Sequence, residues 1–216
     1  MSNGILKNRE EAAKELAILL ESYRKENPLI LGVPRGGVPM AKIIADHLQA
    51  PFDVVLVRKI PAPYNPELAA GAVSESGEVY LNPWAIRDGY TEEKLSANIA
   101  KEKEEIRKRR EHFTDGHAPV SVKDRTVIVV DDGIATGATM IAAIHFLRKA
   151  HPRKIVLAAG VIPPDNVAKL KPLCDDLVVL LVPDSFFGVG QFYRDFSPVE
   201  DETVIRLLAE RWHAQC

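Results

Sequence analysis

The chain of 216 residues has only two cysteines, Cys174 and Cys216, which lie far apart in the sequence. Two such cysteines make neither a disulfide framework nor a zinc site, so we expect a reducing cytoplasmic location. No apolar run is long enough to span a bilayer, and the opening stretch MSNGILKNREEAAKEL lacks the apolar core of a signal peptide. The sequence therefore predicts no membrane partner.

An excess of charge of either sign is also missing. Lysine and arginine number 28 against 30 aspartates and glutamates, which leaves a formal net charge of −2. Such a balance gives no overall attraction to nucleic acid, so no nucleic-acid partner is expected. The basic run KRR at residues 108–110 is surrounded by glutamates, and we interpret it as a solvated helix face.

Two kinds of phosphate chemistry lack their sequence patterns. The P-loop pattern GxxxxGK[ST] of nucleoside-triphosphate enzymes does not occur in the chain. An aspartate that accepts a phosphoryl group would also end a strand, but no lysine or second acidic motif is arranged to complete that machinery.

Buried strands alternate with helices along most of the chain. Strands are predicted at residues 29–33, 53–57, 126–130, 154–159 and 177–182. Helices are predicted after Asn8, at 38–48, at 138–149 and after Asp201. This alternation is typical of βαβ units around a parallel sheet, which makes the fold class α/β. The length suits a single domain over residues 1–216.

An insertion at about residues 61–119 interrupts this pattern. Residues 61–81 are rich in Pro, Gly and Ala, and SESGE at 74–78 predicts a hairpin turn. A highly charged helix is predicted over 91–112, with only a thin apolar stripe formed by Leu95, Ile99 and Ile106. Such a stripe suits a helix packed on one side against a hood or against a second subunit. The core then comprises about 1–60 and 120–182, with a C-terminal lid and helix at about 183–216.

Two acids and a run of small residues follow one predicted strand, in IVVDDGIATGATM at residues 128–140. Ligands of an open parallel sheet bind at this end of the strands. Small side chains let a phosphate approach backbone N–H groups at a helix start, and Thr136 and Thr139 can donate hydroxyl hydrogen bonds. The carboxylates of Asp131 and Asp132 can accept hydrogen bonds from adjacent sugar hydroxyls. Acids that merely cap the next helix are the alternative, but one acid would suffice for that.

This segment resembles the phosphoribosyl-diphosphate-binding motif of type I phosphoribosyltransferases, in length and in order from strand to threonine. The resemblance implies a Rossmann-like core with a parallel sheet and a small hood that carries a flexible loop. It implies that Asp131 and Asp132 hold the ribose hydroxyls and contact Mg²⁺ directly or through water. It also implies a loop for the 5′-phosphate, formed by Ala135, Thr136, Gly137, Ala138 and Thr139.

A second glycine-containing loop lies in LGVPRGGVP at residues 31–39. Gly36 and Gly37 expose backbone donors near a helix start, and Arg35 adds a fork-shaped cation, which together suit a diphosphate. A tight turn would need only the two glycines. The stretch resembles the pyrophosphate loop of the same family, which often carries a cis peptide, expected here before Arg35.

A pair of cations follows the strand predicted at 53–57, in LVRKIPAPYNPELAAGAV at residues 56–73. Arg58 and Lys59 would be an ordinary strand end if taken alone. Beside the two anion loops, they resemble the Arg-Lys pair of the family, which precedes a mobile loop that closes over the reacting centre and excludes water.

The resemblance implies that a nitrogen nucleophile displaces pyrophosphate from the anomeric carbon of the sugar, without a covalent enzyme intermediate. Negative charge develops on the leaving diphosphate, which Mg²⁺, Arg35, Arg58 and Lys59 would stabilise. Asp131 and Asp132 would favour the cationic sugar. The expected catalytic residues are Asp131, Asp132, Arg35 and Lys59.

The acceptor is less well defined. VPDSFFGVGQFYRDF at residues 182–196 resembles the segment of 6-oxopurine phosphoribosyltransferases in which an aromatic ring stacks on the base. Those enzymes usually have an acid where this chain has Ala135, and a lysine where it has the apolar stretch GVIPP at 160–164. A 6-oxopurine is therefore disfavoured, and the acceptor stays open among nucleobases and related nitrogenous molecules. The candidate acceptor-binding residues are Phe186, Phe187 and Val161.

The whole chain looks most like a group of bacterial predicted phosphoribosyltransferases, for which a homodimer is the family expectation. A non-catalytic regulator that binds phosphoribosyl diphosphate is the main alternative. Retention of both acids and of the three cations favours the enzyme, and no DNA-binding extension is present to favour a self-contained regulator. A sugar-phosphate enzyme of another reaction type also stays open, because the fold alone does not define the chemistry.

Overall fold

A computed structural model of the chain describes residues 4–213, except for the side chains of residues 66, 67 and 211–213. The strands are β1 (Leu29–Gly32), β2 (Phe52–Val54), β3 (Val57–Ala62), β4 (Asn65–Ser74), β5 (Val79–Leu81), β6 (Thr126–Gly133), β7 (Lys154–Val161) and β8 (Asp176–Leu181). The α-helices are α1 (Arg9–Leu19), α2 (Gly37–Leu48), α3 (Pro83–Arg87), α4 (Ser96–Thr114), α5 (Ala138–Lys149), α6 (Pro164–Leu170) and α7 (Asp201–His213).

Five parallel strands form the central sheet, in the order β2-β1-β6-β7-β8. The predicted α/β class with a parallel sheet is confirmed. Alternate residues of the central strands face opposite sides, as the two-residue period of a strand requires. Ile30 and Ile128 pack towards α1, α2 and α7, whereas Leu29 and Val127 pack towards α5 and α6. Helices on both faces explain why these strands are apolar throughout.

A second, antiparallel sheet of β3, β4 and β5 forms the hood. The hairpin predicted at residues 74–78 is confirmed, because the Ser74 N–H donates to the Glu78 carbonyl at 3.0 Å. Gly77 has a φ of +82°, a left-handed conformation that glycine adopts without a steric penalty. The hood sheet begins at Val57, before residue 61.

The prediction of one strand over residues 53–57 is wrong. β2 ends at Val54, and the chain then crosses to the hood, where β3 begins at Val57. Apolar residues continue without interruption because Leu56 is also buried, at the junction of the two sheets. An unbroken apolar run gives no sign of the change of sheet. Arg58 and Lys59 therefore lie near the start of a hood strand and not at the end of a parallel strand.

The charged helix α4 packs its apolar stripe entirely within the chain. Leu95, Ile99 and Ile106 are buried against the hood and the core, so the stripe gives no support for a second subunit. The interpretation of residues 108–110 as a solvated face is wrong for Arg110. Its guanidinium is buried and binds Asp53 at 2.9 Å, together with Glu75 of the hood turn.

The segments before α1 and before α7 meet on the face of the sheet that carries α1. Asn8 caps α1, as predicted, by accepting a hydrogen bond from the Glu11 N–H. Leu6 forms an isolated parallel bridge with Tyr193, which brings the segment before α7 against the segment before α1. Across residues 4–213, no helix combines the length and the apolar character that crossing a membrane requires.

Candidate functional site

Asp131 and Asp132 lie near the carboxyl end of β6, in the middle of the parallel sheet. The Asp132 N–H donates to Asp131 Oδ1 at 2.9 Å, so the first carboxylate is oriented by the backbone of the second residue. Asp132 is buried, and Asp131 is half-buried. Burial raises the pKa of Asp131 well above its usual range, and the neighbouring charge of Asp132 raises it further.

Arg9, at the start of α1, holds the Asp132 side chain. Its Nε lies 2.7 Å from Asp132 Oδ2, and its Nη1 donates to the Ser197 carbonyl at 2.7 Å. The guanidinium carbon also lies 3.8 Å from the centre of the Phe196 ring, a cation–π contact. Arg9 was not among the predicted site residues, since 123 positions separate it from Asp132 and no local pattern joins them.

The backbone of Asp132 is fixed by the segment before α7. The Tyr193 hydroxyl donates to the Asp132 carbonyl at 2.7 Å, and the Tyr193 ring stacks on Phe196 with centroids 5.1 Å apart. Tyr193 and Arg9 therefore hold the same aspartate from its main chain and from its side chain.

The loop between β1 and α2 lies directly against this aspartate. The expected cis peptide before Arg35 is present, between Pro34 and Arg35. A Cβ placed on Gly36 would lie 1.9 Å from Asp132 Oδ2, so only glycine fits beside the carboxylate. A Cβ on Gly37 would lie 2.3 Å from the Val130 carbonyl oxygen. Arg35 is exposed, and its Nη1 lies 3.4 Å from Asp201 Oδ1.

The predicted phosphate loop connects β6 to α5. Ala135 and Thr136 are exposed, and Gly137 precedes the first turn of α5 with a φ of +76°. Ala138 and Thr139 form the start of the helix, where backbone N–H groups favour an anion.

Buried Asn166 of α6 supports this loop. Its Nδ2 donates to the Ala135 carbonyl at 2.7 Å, and its Oδ1 faces the space beside Gly137. No sequence pattern points to Asn166, because its partner lies 31 positions earlier in the chain.

Arg58 and Lys59 stand on the hood and not on the parallel sheet. Arg58 Nε lies 2.5 Å from Glu102 Oε2 of α4, and Lys59 is exposed. The structure places neither of them in contact with Asp131 or Asp132 within the described residues.

A cavity of about 520 Å³ opens beside the phosphate loop, between α6 and the segment after β8. Its lining residues are Ala135, Thr136, Pro163, Pro164, Asp165, Asn166, Lys169, Asp184 and Phe186. Phe186 stacks on Phe192 with ring centroids 5.5 Å apart, which leaves the ring at the cavity wall. Phe187 is 92% exposed, and Val161 is fully buried in the core, so neither side chain lines this cavity.

The two carboxylates also provide the oxygen ligands that Mg²⁺ prefers. Asp131 Oδ1 and Asp132 Oδ2 make the contacts above, and Asp131 Oδ2 and Asp132 Oδ1 are the candidate ligands of a cation or a hydroxyl. Among residues 4–213, no group of three His, Cys, Asp or Glu side chains is placed to hold a metal. The site therefore fits a magnesium ion that is held by one or two carboxylates and by oxygens of the bound substrate.

Comparisons with known proteins place this chain beside phosphoribosyl transferases. A family model described as a phosphoribosyl transferase domain matches residues 2–197. Predicted phosphoribosyl transferases from two strains of Mycobacterium tuberculosis are 40% identical over 202 residues, 93% of this chain. The match spans 46% of the Mycobacterium proteins, less than half of their length.

Solved structures with a similar fold are also found. The crystal structure of TT1426 from Thermus thermophilus is 41% identical, with a TM-score of 0.86 over 95% of this chain and 98% of that one. A purine phosphoribosyltransferase from Pyrococcus horikoshii has a TM-score of 0.50 at 18% identity, over 89% of this chain and 92% of that chain. The second likeness concerns the fold alone.

Proposed function

The chain belongs to the family of phosphoribosyl transferase domains, and on that premise we propose a Mg²⁺-dependent transfer of the 5-phosphoribosyl group. The donor is phosphoribosyl diphosphate, the acceptor is a small nitrogenous molecule such as a nucleobase, and pyrophosphate is released. One observation carries this proposal: the β1–α2 loop packs against Asp132 so closely that Gly36 has no room for a side chain.

That contact supports the proposal because it brings the predicted diphosphate loop next to the predicted ribose-binding acid. Asp131 and Asp132 stand where they can accept hydrogen bonds from the ribose hydroxyls, and the loop of Arg35, Gly36 and Gly37 lies beside them for the diphosphate. The phosphate loop follows on the same strand, so a 5′-phosphate would bind at the start of α5. A sugar with phosphate groups at both ends needs this arrangement of three neighbouring anion and hydroxyl sites.

The residues of the chain would act mainly by electrostatics. Positive charge develops on the sugar as the bond to the diphosphate breaks, and the carboxylates of Asp131 and Asp132 favour it. Arg35 stabilises the leaving diphosphate from the β1–α2 loop. Arg58 and Lys59 would join when the hood moves towards the sheet, since both lie on β3.

Magnesium would be held by Asp131 and Asp132 with oxygens of the donor. When bound, it would supply positive charge that neutralises the diphosphate and makes it a better leaving group. Burial and the charge of Asp132 raise the pKa of Asp131, and a bound cation would oppose that shift by favouring the ionised carboxylate.

The acceptor would occupy the cavity beside the phosphate loop. We propose that its ring lies against Phe186 and that its polar edge meets Lys169, Asp165 or Asp184. Lys169 offers a charged donor that residues 160–164 lack, but it comes from α6 and not from the strand end. Since Ala135 supplies no acid, 6-oxopurines should be poorer acceptors than other nitrogenous molecules.

Release of pyrophosphate tests the proposal directly. Purified protein with Mg²⁺ and phosphoribosyl diphosphate would be assayed against 6-oxopurines, other nucleobases and small amines. We expect release with at least one acceptor class. Tight binding of the donor without release for any acceptor would instead support the non-catalytic regulator.

Asp132→Asn provides the matching test of the site. We expect kcat/KM to fall at least about 100-fold, because the ribose loses a charged acceptor. The fold should persist, since Arg9 keeps its contacts with Ser197 and Phe196. Asp46→Asn on the exposed surface of α2 is the control, and full turnover by Asp132→Asn would contradict the assigned role.

Location and assembly are further parts of the proposal. We infer a cytoplasmic location because Cys174 is a free thiol and the chain has only one other cysteine. A homodimer is proposed from the family alone.

A further inference from the structure

Arg35, the cation of the proposed diphosphate loop, is engaged by a carboxylate of the chain itself. Its Nη1 lies 3.4 Å from Oδ1 of Asp201, the first residue of α7. The other oxygen, Asp201 Oδ2, lies 3.7 Å from His112 Nε2 on α4. One carboxylate therefore connects α7, α4 and the β1–α2 loop.

Arg109 belongs to the same neighbourhood, one turn of α4 before His112. It is half-buried, and its guanidinium carbon lies 5.3 Å from the centre of the Phe113 ring. Burial lowers the pKa of Arg109, Asp201 raises it, and the charges of Arg58 and Arg35 lower it further. Arg109 and His112 are three positions apart on α4 and therefore share the side of the helix that meets Asp201. The charges of Arg35 and Arg58 also reach Arg109, and these three residues are called the arginine group below. Within the described part of the chain, no ion pair shorter than 4 Å is found for Arg109.

The two carboxylates that face this arginine group differ in how easily they can leave it. Glu102 is 6% exposed and lies 2.5 Å from Arg58, so it is a fixed partner. The Asp201 side chain is 37% exposed, and its two contacts are 3.4 and 3.7 Å long, so it is loosely held. A diphosphate carries more negative charge and more acceptor oxygens than one carboxylate, and it would bind guanidinium groups in preference to Asp201.

We propose that Asp201 is an internal counter-ion at the diphosphate end of the donor site and that Arg109 is a further diphosphate-binding residue. Asp201 releases Arg35 when the donor binds, and Arg109 then contacts the diphosphate together with Arg35. This inference rests on the proposed function, because the anion is the diphosphate of the donor or the pyrophosphate product. It gives α4 and α7 a part in binding the leaving group.

The alternative is that Asp201 only stabilises the start of α7. A carboxylate in the first turn of a helix is favourable through the helix dipole, and a surface ion pair contributes little. Glu202, the next residue, has the same charge and the same place in the first turn, but it forms no ion pair with Arg35 among the described residues. Glu202→Gln therefore controls for a purely helical effect.

Calorimetric titration with inorganic pyrophosphate in the presence of Mg²⁺ tests the inference. For Asp201→Asn we expect the Kd to fall about fivefold, because the internal competitor is removed. For Glu202→Gln we expect no change beyond the error of the measurement. Arg109→Met retains the packing on Phe113, and we expect its Kd to rise about tenfold or more. Arg107→Met is its control, since Arg107 is exposed on α4 and pairs with Glu104 and Glu111.

The outcomes separate the inference from the proposed function. If the wild-type chain binds pyrophosphate but Asp201→Asn binds no better than Glu202→Gln, the counter-ion role is wrong and the proposed function stands. If Arg109→Met binds as tightly as Arg107→Met, Arg109 does not contact the diphosphate. If the wild-type chain binds neither pyrophosphate nor phosphoribosyl diphosphate, the proposed function fails and this inference fails with it.

Discussion

Gly36 shows at the scale of one residue how closely two loops of the site approach. Its backbone angles, φ −62° and ψ −33°, suit any amino acid, so the need for glycine comes only from the neighbouring carboxylate. The added Cβ would lie 2.6 Å from Asp132 Cγ as well as 1.9 Å from Oδ2. A single methyl group at this position must therefore displace Asp132 or the loop.

We predict that Gly36→Ala weakens donor binding about tenfold or more, because overpacking of this kind costs about 1–3 kcal/mol. The measurement is the Kd for phosphoribosyl diphosphate with Mg²⁺. Gly188→Ala is the control, since its backbone is extended and no atom lies within 4 Å of an added Cβ. Equal affinities of the two variants would show that Gly36 does not constrain the site.

Asp131 links the site to the stability of the fold. Its raised pKa means that the folded state holds a proton that the unfolded state releases as the pH rises above about 4. Ionisation of Asp131 is less favourable in the folded state than in the unfolded state. The free energy of unfolding therefore falls as the pH rises from about 4 through the pKa that Asp131 has in the folded protein. At neutral pH, the carboxylate costs stability.

Asp131→Asn should therefore raise the free energy of unfolding at pH 7, by about 1 kcal/mol or more, while activity is lost. The gain should shrink as the pH is lowered towards about 4, because Asp131 in the unfolded state then also begins to take up a proton. Urea denaturation of both proteins at several pH values measures this difference. A gain that is the same at pH 4 and pH 7 would contradict the assigned cause.

Sequence patterns identify some residues of the site and not others. Adjacent acids, small-residue loops and the Arg-Gly-Gly turn are contiguous in the chain, so their chemistry can be read locally. Arg9, Asn166 and Tyr193 act on that motif from 123, 31 and 61 positions away, and no local pattern connects them to it. Their roles depend on which segments the fold brings together.

Among the secondary-structure elements, the highly charged helix α4 contains a buried residue that its sequence pattern does not reveal. Arg110 binds Asp53 of the central sheet and Glu75 of the hood turn, and therefore ties three elements together. Periodicity predicted the helix and its apolar stripe, but it assigned every charge to solvent. The burial of Arg110 depends on acids that lie 57 and 35 positions earlier in the chain.

We predict that Arg110→Ala destabilises the protein by about 3–5 kcal/mol, since it removes the buried guanidinium that binds Asp53 and Glu75. Arg107→Ala, on the exposed side of the same helix, should cost no more than about 0.5 kcal/mol. Urea denaturation followed by circular dichroism measures both. Similar stabilities of the two variants would show that the buried ion pair is not a net support.

The elements of the parallel sheet were the most predictable part of the fold. The predicted helix at 138–149 agrees with α5 at both ends, because a small-residue loop precedes it and two basic residues close it. The strand at 53–57 was not predicted correctly, since its apolar run serves two different sheets. Local patterns report burial but not the identity of the neighbouring strand.

At the scale of the whole molecule, the prediction that follows from the family is a homodimer. The structure adds no direct support from α4, whose apolar stripe is buried within the chain. Exposed apolar side chains remain on the hood and next to it, at Tyr64, Leu68 and Ile86. Sedimentation velocity over a range of concentrations should show a species of twice the chain mass of 23.9 kDa. A monomer at every concentration would contradict the prediction.

The contacts around Asp132 also bear on when the protein becomes competent during its synthesis. Arg9 leaves the ribosome before Asp132 and Tyr193 leaves after it, yet all three must meet at one strand end. A nascent chain that has not yet exposed Tyr193 and Ser197 cannot complete the surroundings of the acidic pair. Contacts of such long sequence separation form late in folding as well. The proposed donor site therefore matures only after the segment that carries Tyr193 and Ser197 has been made, so a shorter nascent polypeptide would not bind the donor.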